Sequence, residues 1–132
     1  MDTQTFKPVN PPVYPSSEQT VFVHEEPTYG GAHLYHITNC MGFENGETQY
    51  VLSEFDVQSI QFVHKADDGT ITPGLQSEQL VIMLLDRHIK LDERFPSPQN
   101  KQMISCLQGF LDACQARIDD RINRGVMGKL KR

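Results

Sequence analysis

The sequence predicts an α+β fold, a small antiparallel β-sheet followed by an antiparallel helical hairpin, from three observations. Between residues 31 and 66, short runs of β-branched and aromatic residues are punctuated by the turn dipeptide Asn45-Gly46 and closed by Asp68-Gly69. After Thr72-Pro73-Gly74 the apolar residues recur in steps of three and four, the period of an amphipathic helix. That tract is interrupted once, at Phe95-Pro96-Ser97-Pro98. Neither proline fits a helix interior, and each pushes its predecessor out of the α region. The expected organisation is a Pro-rich leader over 1–30, the sheet over 31–72 and a helical hairpin with a basic end over 73–132.

Five of the eight prolines, Pro8, Pro11, Pro12, Pro15 and Pro27, fall in the leader. So few backbone donors suit an extended or disordered arm. Val21, Phe22 and Val23 are its apolar patch and could instead dock as an edge strand. Leu34 to Ile37 have strand composition, and Asn45-Gly46 favours a two-residue hairpin because both turn positions take positive φ. Gln49 to Leu52 are expected to pair back on this first strand, and Val57 to His64 to form a third. Three strands with one apolar face need a cover, for which the helices are the expected source. The first helix is expected over 76–92, with Leu80, Val81, Leu84 and Leu85 on one side and Glu78 at the positive end of the dipole. The second carries Met103, Ile104, Leu107, Phe110, Leu111, Cys114, Ile118 and Ile122 at three- and four-residue steps, and Gly125 with Gly128 ends it.

Composition excludes several function classes. The 132 residues carry 12 Lys+Arg against 17 Asp+Glu, a net charge of −5, which argues against a nucleic-acid polymer as partner because counterion displacement needs many cations. No apolar run approaches the ~18 residues of a membrane span or resembles a signal peptide. Three cysteines cannot all pair, so a cytoplasmic setting with reduced thiols is expected. No Walker-type loop or carboxylate cluster is present, so no enzyme activity, catalytic residue or cofactor is expected.

The charge is unevenly distributed. Residues 117–132 hold six cations against Asp119 and Asp120, a local +4 that leaves −9 for the remainder. At about 100° per residue, Arg117, Arg121 and Arg124 share a sector of the second helix with Phe110 and Met103, beside the apolar stripe. An aromatic ring and two guanidinium groups one turn apart could stack a base and fork a phosphate. From the residues alone the favoured reading of this face is solvated charge, with Asp119 and Asp120 as ordinary helix-surface partners and the cations complementing the helix dipole.

From Gln76 onward, Leu80, Asp86-Arg87, Asn100, Leu107, Leu111, Arg117, Arg121 and Arg124-Gly125-Val126-Met127-Gly128 resemble the helical hairpin shared by two phage immune-evasion families. These are the first type of Thoeris anti-defence protein and the second type of anti-CBASS protein. Gly31-Ala32-His33 followed by Tyr35 resembles the β portion of the Thoeris-directed branch, so the likeness spans about residues 31 to 128. It implies a non-enzymatic sponge in the cytoplasm of an infected bacterium. Such a protein sequesters cyclic nucleotide immune messengers, glycocyclic ADP-ribose among them and in some members cyclic di- or trinucleotides. It does so as a homo-oligomer, at least a dimer and in the family a hexamer. By position, Arg117, Arg121 and Asn100 match ligand-contacting residues, and Arg124, Gly125 and Val126 match a loop associated with cyclic trinucleotides. Where the family has Phe-Gln-x-Gly-Pro-Phe, this chain reads Leu91-Asp92-Glu93-Arg94-Phe95, so Leu91 occupies the place of a stacking aromatic and Phe95 could take its role. Met127 and Lys129 replace the usual Glu and Thr. These departures bear on which ligand is preferred.

Spacing adds a constraint of its own. Asn100 and Arg117 are about 25 Å apart on a continuous helix, too far to hold one compact ligand, so a shared pocket requires a second subunit. His33 and His36 are three apart on a strand and point to opposite faces, which disfavours a metal site. His33 is the ligand-edge candidate, with a structural histidine as the alternative. Phe110, Phe95 and Tyr35 are the candidate base-stacking rings. Cys106 and Cys114, two turns apart, read as buried packing thiols, and Cys40 lacks the partners of a nucleophile. The competing function is an oligomeric adaptor or structural protein that binds another protein through its acidic body or basic tail.

Overall fold

The computed structural model describes residues 6–9, 20–26, 31–51 and 57–125, and the chain divides into two units at 75/76. The first unit contains β1 (Lys7–Pro8), β2 (Val21–Glu26), β3 (Gly31–Thr38), β4 (Cys40–Glu44), β5 (Glu47–Tyr50), β6 (Val57–Gln61), β7 (His64–Lys65) and β8 (Ile71–Thr72). The second contains α1 (Ser77–Arg94) and α2 (Pro98–Asn123), which form a hairpin. The fold is α+β, as expected.

The main sheet is antiparallel with strand order β1-β2-β3-β6. Two of its four strands come from the Pro-rich leader, a segment that local pattern places outside the sheet. Val21–Glu26 does more than dock at an edge: β1 pairs outside it, so β2 lies in the interior of the sheet. Pro8 sits on the edge strand, where a missing N–H costs the ladder least. Directly opposed residues share a face, which places Val23, Tyr35 and Ile60 together. Val23 is the most buried of them, at 6% exposure. On the other face Phe6 stacks on the His36 ring at 4.0 Å between centroids and tilts against His24 at 5.7 Å. This aromatic contact clamps Phe6 to β3.

Two strand expectations need correction. Gln49 and Tyr50 pair with Gly42 and Cys40 of β4, leaving Leu34–Ile37 to β2 and β6. The turn decides this register. Asn45 at φ 53° and Gly46 at φ 79° make a two-residue loop, which brings Glu47 opposite Glu44 and reaches back only as far as Cys40. Leu52 lies outside the described residues. The expected strand over Val57 to His64 ends at Gln61, because Phe62 makes a lone parallel bridge to Leu75 before β7 begins.

At that bridge Leu75 N–H donates to Gln61 O at 2.8 Å and Val63 N–H donates to Leu75 O at 2.9 Å. The neighbouring Gly74 has no room for a side chain: a Cβ there would lie 2.5 Å from Gln61 O and 2.6 Å from both Phe62 C and Val63 N, all backbone atoms.

In the second unit, the Gln79 side chain accepts from the Gln76 N–H at 2.8 Å where α1 starts. The helix continues two residues past the expected end, to Arg94. Ser97 then caps α2, its hydroxyl accepting from Asn100 N–H at 3.0 Å with Pro98 in the first turn. Asp92 ties the helices together, accepting from Lys101 Nζ at 2.8 Å and from Ser97 N–H at 3.2 Å. Gly125, at φ 68°, follows the C-cap Arg124, and Gly128 lies outside the described residues.

Gly74→Ala is expected to destabilise the sheet unit by about 1–3 kcal/mol, the usual cost of forcing atoms into a filled space. Ser97→Ala is expected to cost about 1 kcal/mol through the lost cap. Urea denaturation followed by circular dichroism measures both.

Candidate functional site

The helix geometry divides the arginines. Met103, Phe110, Arg117 and Arg124 succeed one another at seven-residue steps along α2 and are all exposed. Arg121 is half-buried and continues the inner seam of Leu107, Leu111, Cys114 and Ile118. Cys114 is the buried member of that seam, whereas Cys106 is exposed, contrary to its expected role as a packing thiol. The reason is angular: Cys106 lies one position before the inward Leu107, about 100° around the helix.

α2 has 26 residues against 18 in α1, so it is longer by about 12 Å. In an antiparallel pair joined by a three-residue turn, the segment bearing Arg117, Arg121 and Arg124 therefore runs past the first turn of α1 and lacks a helical neighbour from it. Arg124 Nε pairs with Asp120 Oδ2 at 3.1 Å across one turn. Asp119 accepts from the Gln115 side chain at 3.0 Å. Arg117 is exposed and makes no ion pair among the described residues. The solvated helix-surface pairing is thus present at Arg124, and Arg117 has no ion pair among the described residues. Gly125 is described and exposed, and Val126 lies outside the described residues.

Leu91, Phe95 and Asn100 gather at the opposite end of the hairpin. Phe95 is 63% exposed, with the Arg94 guanidinium carbon 5.4 Å from its ring centre, an arrangement that presents a cation and an aromatic face together. Asn100 donates from Nδ2 to Phe95 O at 2.8 Å, which leaves its Oδ1 unengaged among the described residues. Leu91 is half-buried beside this turn. The structure brings Asn100 to Phe95, and α2 separates Asn100 from Arg117 by about 25 Å.

His33 and Tyr35 belong to the sheet unit. The His33 ring stacks on His64 at 4.1 Å with an 8° interplanar angle, and Tyr35 meets Phe62 edge-on at 5.8 Å. Burial lowers the His33 pKa, with the nearby His64 adding to the effect. Both candidates therefore already have aromatic partners. No group of His, Cys, Asp and Glu able to hold a metal ion occurs among the described residues.

Sequence reasoning missed Arg94, His64 and the Asp92–Lys101 pair. Only the start of the second helix carried a local signal: Ser97-Pro98 is a cap followed by a first-turn proline, although the two prolines by themselves mark only a break. The His33–His64 and Asp92–Lys101 contacts join residues too far apart in the chain for periodicity to reveal.

No family model matches the chain, and no curated protein matches it closely. No helix among the described residues is long and apolar enough to cross a membrane.

His33 and Asp92 both make the fold less stable as pH falls, in two separate pH windows. His33 disfavours its charged form in the folded state, so below pH ~6.5 the unfolded chain takes up the proton first and stability falls. Thermal melts between pH 7 and 5 are expected to show a smaller loss for His33→Phe than for the native chain. At Asp92 the hydrogen bond from Lys101 holds the carboxyl below the ordinary range. Its contribution is present above pH ~4 and is lost as pH falls through the lowered value. Asp92→Asn should therefore lower Tm at pH 7 and narrow the difference from the native chain at pH 2 to 3.

Proposed function

We propose that this protein is an immune-evasion sponge that binds and sequesters a cyclic nucleotide messenger without cleaving it, acting in the cytoplasm of an infected bacterium. The reading rests on the resemblance of residues 31 to 128 to the Thoeris anti-defence and anti-CBASS hairpins. One structural observation supports it most directly: Arg117 lies exposed and without an ion pair among the described residues, on the part of α2 that outruns α1. A guanidinium in that position can fork a phosphate without first losing a carboxylate partner. Arg121, one turn on and half-buried, adds a second cation.

The pocket is completed between subunits. One protomer contributes Arg117 and Arg121, and a neighbour packed antiparallel contributes Asn100 through Oδ1, with Phe95 or Phe110 against the base. Sequestration requires affinity and a preorganised surface rather than positioned acid–base groups, so no catalytic residue or cofactor enters the mechanism. Arg124, Gly125 and Val126 form the candidate second site for a cyclic trinucleotide. In this reading, no nucleic-acid polymer or membrane is a partner.

Titration calorimetry with glycocyclic ADP-ribose is expected to show tight binding, at least ~100-fold weaker for Arg117→Ala and for Arg121→Ala, as loss of a charge-assisted phosphate contact implies. Denaturing the complex should release the ligand intact. Light scattering should show a dimer or larger species at micromolar concentration. Absence of binding to any cyclic nucleotide would favour the adaptor, and recovery of hydrolysed ligand would overturn the sponge in favour of an enzyme.

A further inference from the structure

The β4–β5 hairpin exposes large apolar side chains. Phe43 is 78% exposed and Met41 71%, and among the described residues β4 and β5 form a separate two-stranded sheet. At its tip Glu44 stands directly opposite Glu47, a like-charge pair that a nearby cation would relieve. Solvent-facing phenylalanine beside two carboxylates has no packing role within the hairpin.

The helical unit holds a recess of matching chemistry. A cleft of about 350 Å³ between α1 and α2 is lined by Leu84, His88, Gln102, Met103, Cys106 and Leu107. Arg87 immediately precedes the cleft residue His88 on α1 and follows Leu84 by three positions. It is exposed and makes no ion pair among the described residues. The neighbouring Lys90 and Lys101 are already engaged by Asp86 at 3.0 Å and Asp92 at 2.8 Å.

We propose that the β4–β5 hairpin of one copy seats Phe43 in the α1–α2 cleft of a second copy, with Glu44 and Glu47 facing Arg87. The apolar ring meets an apolar recess, and the carboxylate pair that repels itself gains a guanidinium not engaged by the described residues. Knob and recess are different surfaces of the chain, so the contact is heterologous, the kind that builds a ring when its rotation closes. It involves neither Arg117 nor Arg121 and requires no nucleotide.

Thiol trapping in the full-length chain tests the contact. In a Phe43→Cys, Cys40→Ser variant the introduced thiol is expected to form a disulfide with the native Cys106, which is exposed and lines the cleft. Mixing two differently tagged preparations before oxidation should yield a doubly tagged species, and adding Cys106→Ser should remove it. Disulfides formed only within single chains, or none to Cys106, would overturn the proposal. Independently, Phe43→Asp and Arg87→Glu should each weaken self-association at least ~10-fold in sedimentation equilibrium, the scale of losing one anchoring contact, with the circular dichroism spectrum unchanged. The charge reversal Arg87→Glu combined with Glu44→Lys and Glu47→Lys should restore part of it. Unchanged association in both single variants would also overturn the contact. All of these measurements are made without ligand, so their failure leaves the calorimetric test of sequestration untouched.

Discussion

The Asp92 carboxylate holds the helical hairpin in register. It takes one hydrogen bond from the Lys101 ammonium and another from the Ser97 N–H, so a single group near the end of α1 joins the turn to the first turn of α2. Ser97 in turn caps α2, and Asn100 reaches back to Phe95 O. These contacts define where α2 begins relative to α1. Once that start is set, the constant rise of the helix decides where every later side chain lies. Arg117 and Arg121 fall beyond the first turn of α1 because the clasp lies at the other end.

This geometry separates the two groups of candidate ligand residues. The turn end offers Phe95, Arg94 and Asn100, and the far end offers Arg117, Arg121 and Arg124. A rigid helix cannot fold back to join them, so in the proposed function a second protomer supplies the missing half. Subunit contact is then part of ligand recognition. In the proposed head-to-tail contact, the exposed Phe43 and the cleft beside Leu84 form a further self-complementary pair of surfaces, distinct from the arginines.

Much of the helical unit was legible in the sequence. The spacing of Leu80, Leu84, Leu107 and Leu111 marks two helices, and the two prolines around Ser97 mark the break, because helix formation depends on neighbours three and four residues apart. Arg121 was less legible: its angle placed it in one sector with Arg117 and Arg124, whereas it is half-buried three positions after Ile118. The exposure of Cys106 was also less legible, since the angle alone does not say how wide a stripe the partner helix covers. On the sheet side the Asn45-Gly46 turn was readable, and its two-residue length already specified that Gln49 faces Gly42. The expected pairing with Leu34–Ile37 fails for Gln49 and Tyr50 because the turn geometry does not reach that far back.

By itself, the sequence determined the fold class, the two helices and their break, the hairpin turn and the polarised charge, because each rests on local spacing or residue count. Tertiary structure decided the rest. It made Val21–Glu26 an interior strand, because the ring contacts among Phe6, His36 and His24 and the pairing outside β2 join segments that local pattern cannot connect. It also paired Arg124 with Asp120 and left Arg117 with no carboxylate among the described residues, a choice among several helix-surface geometries that spacing permits equally.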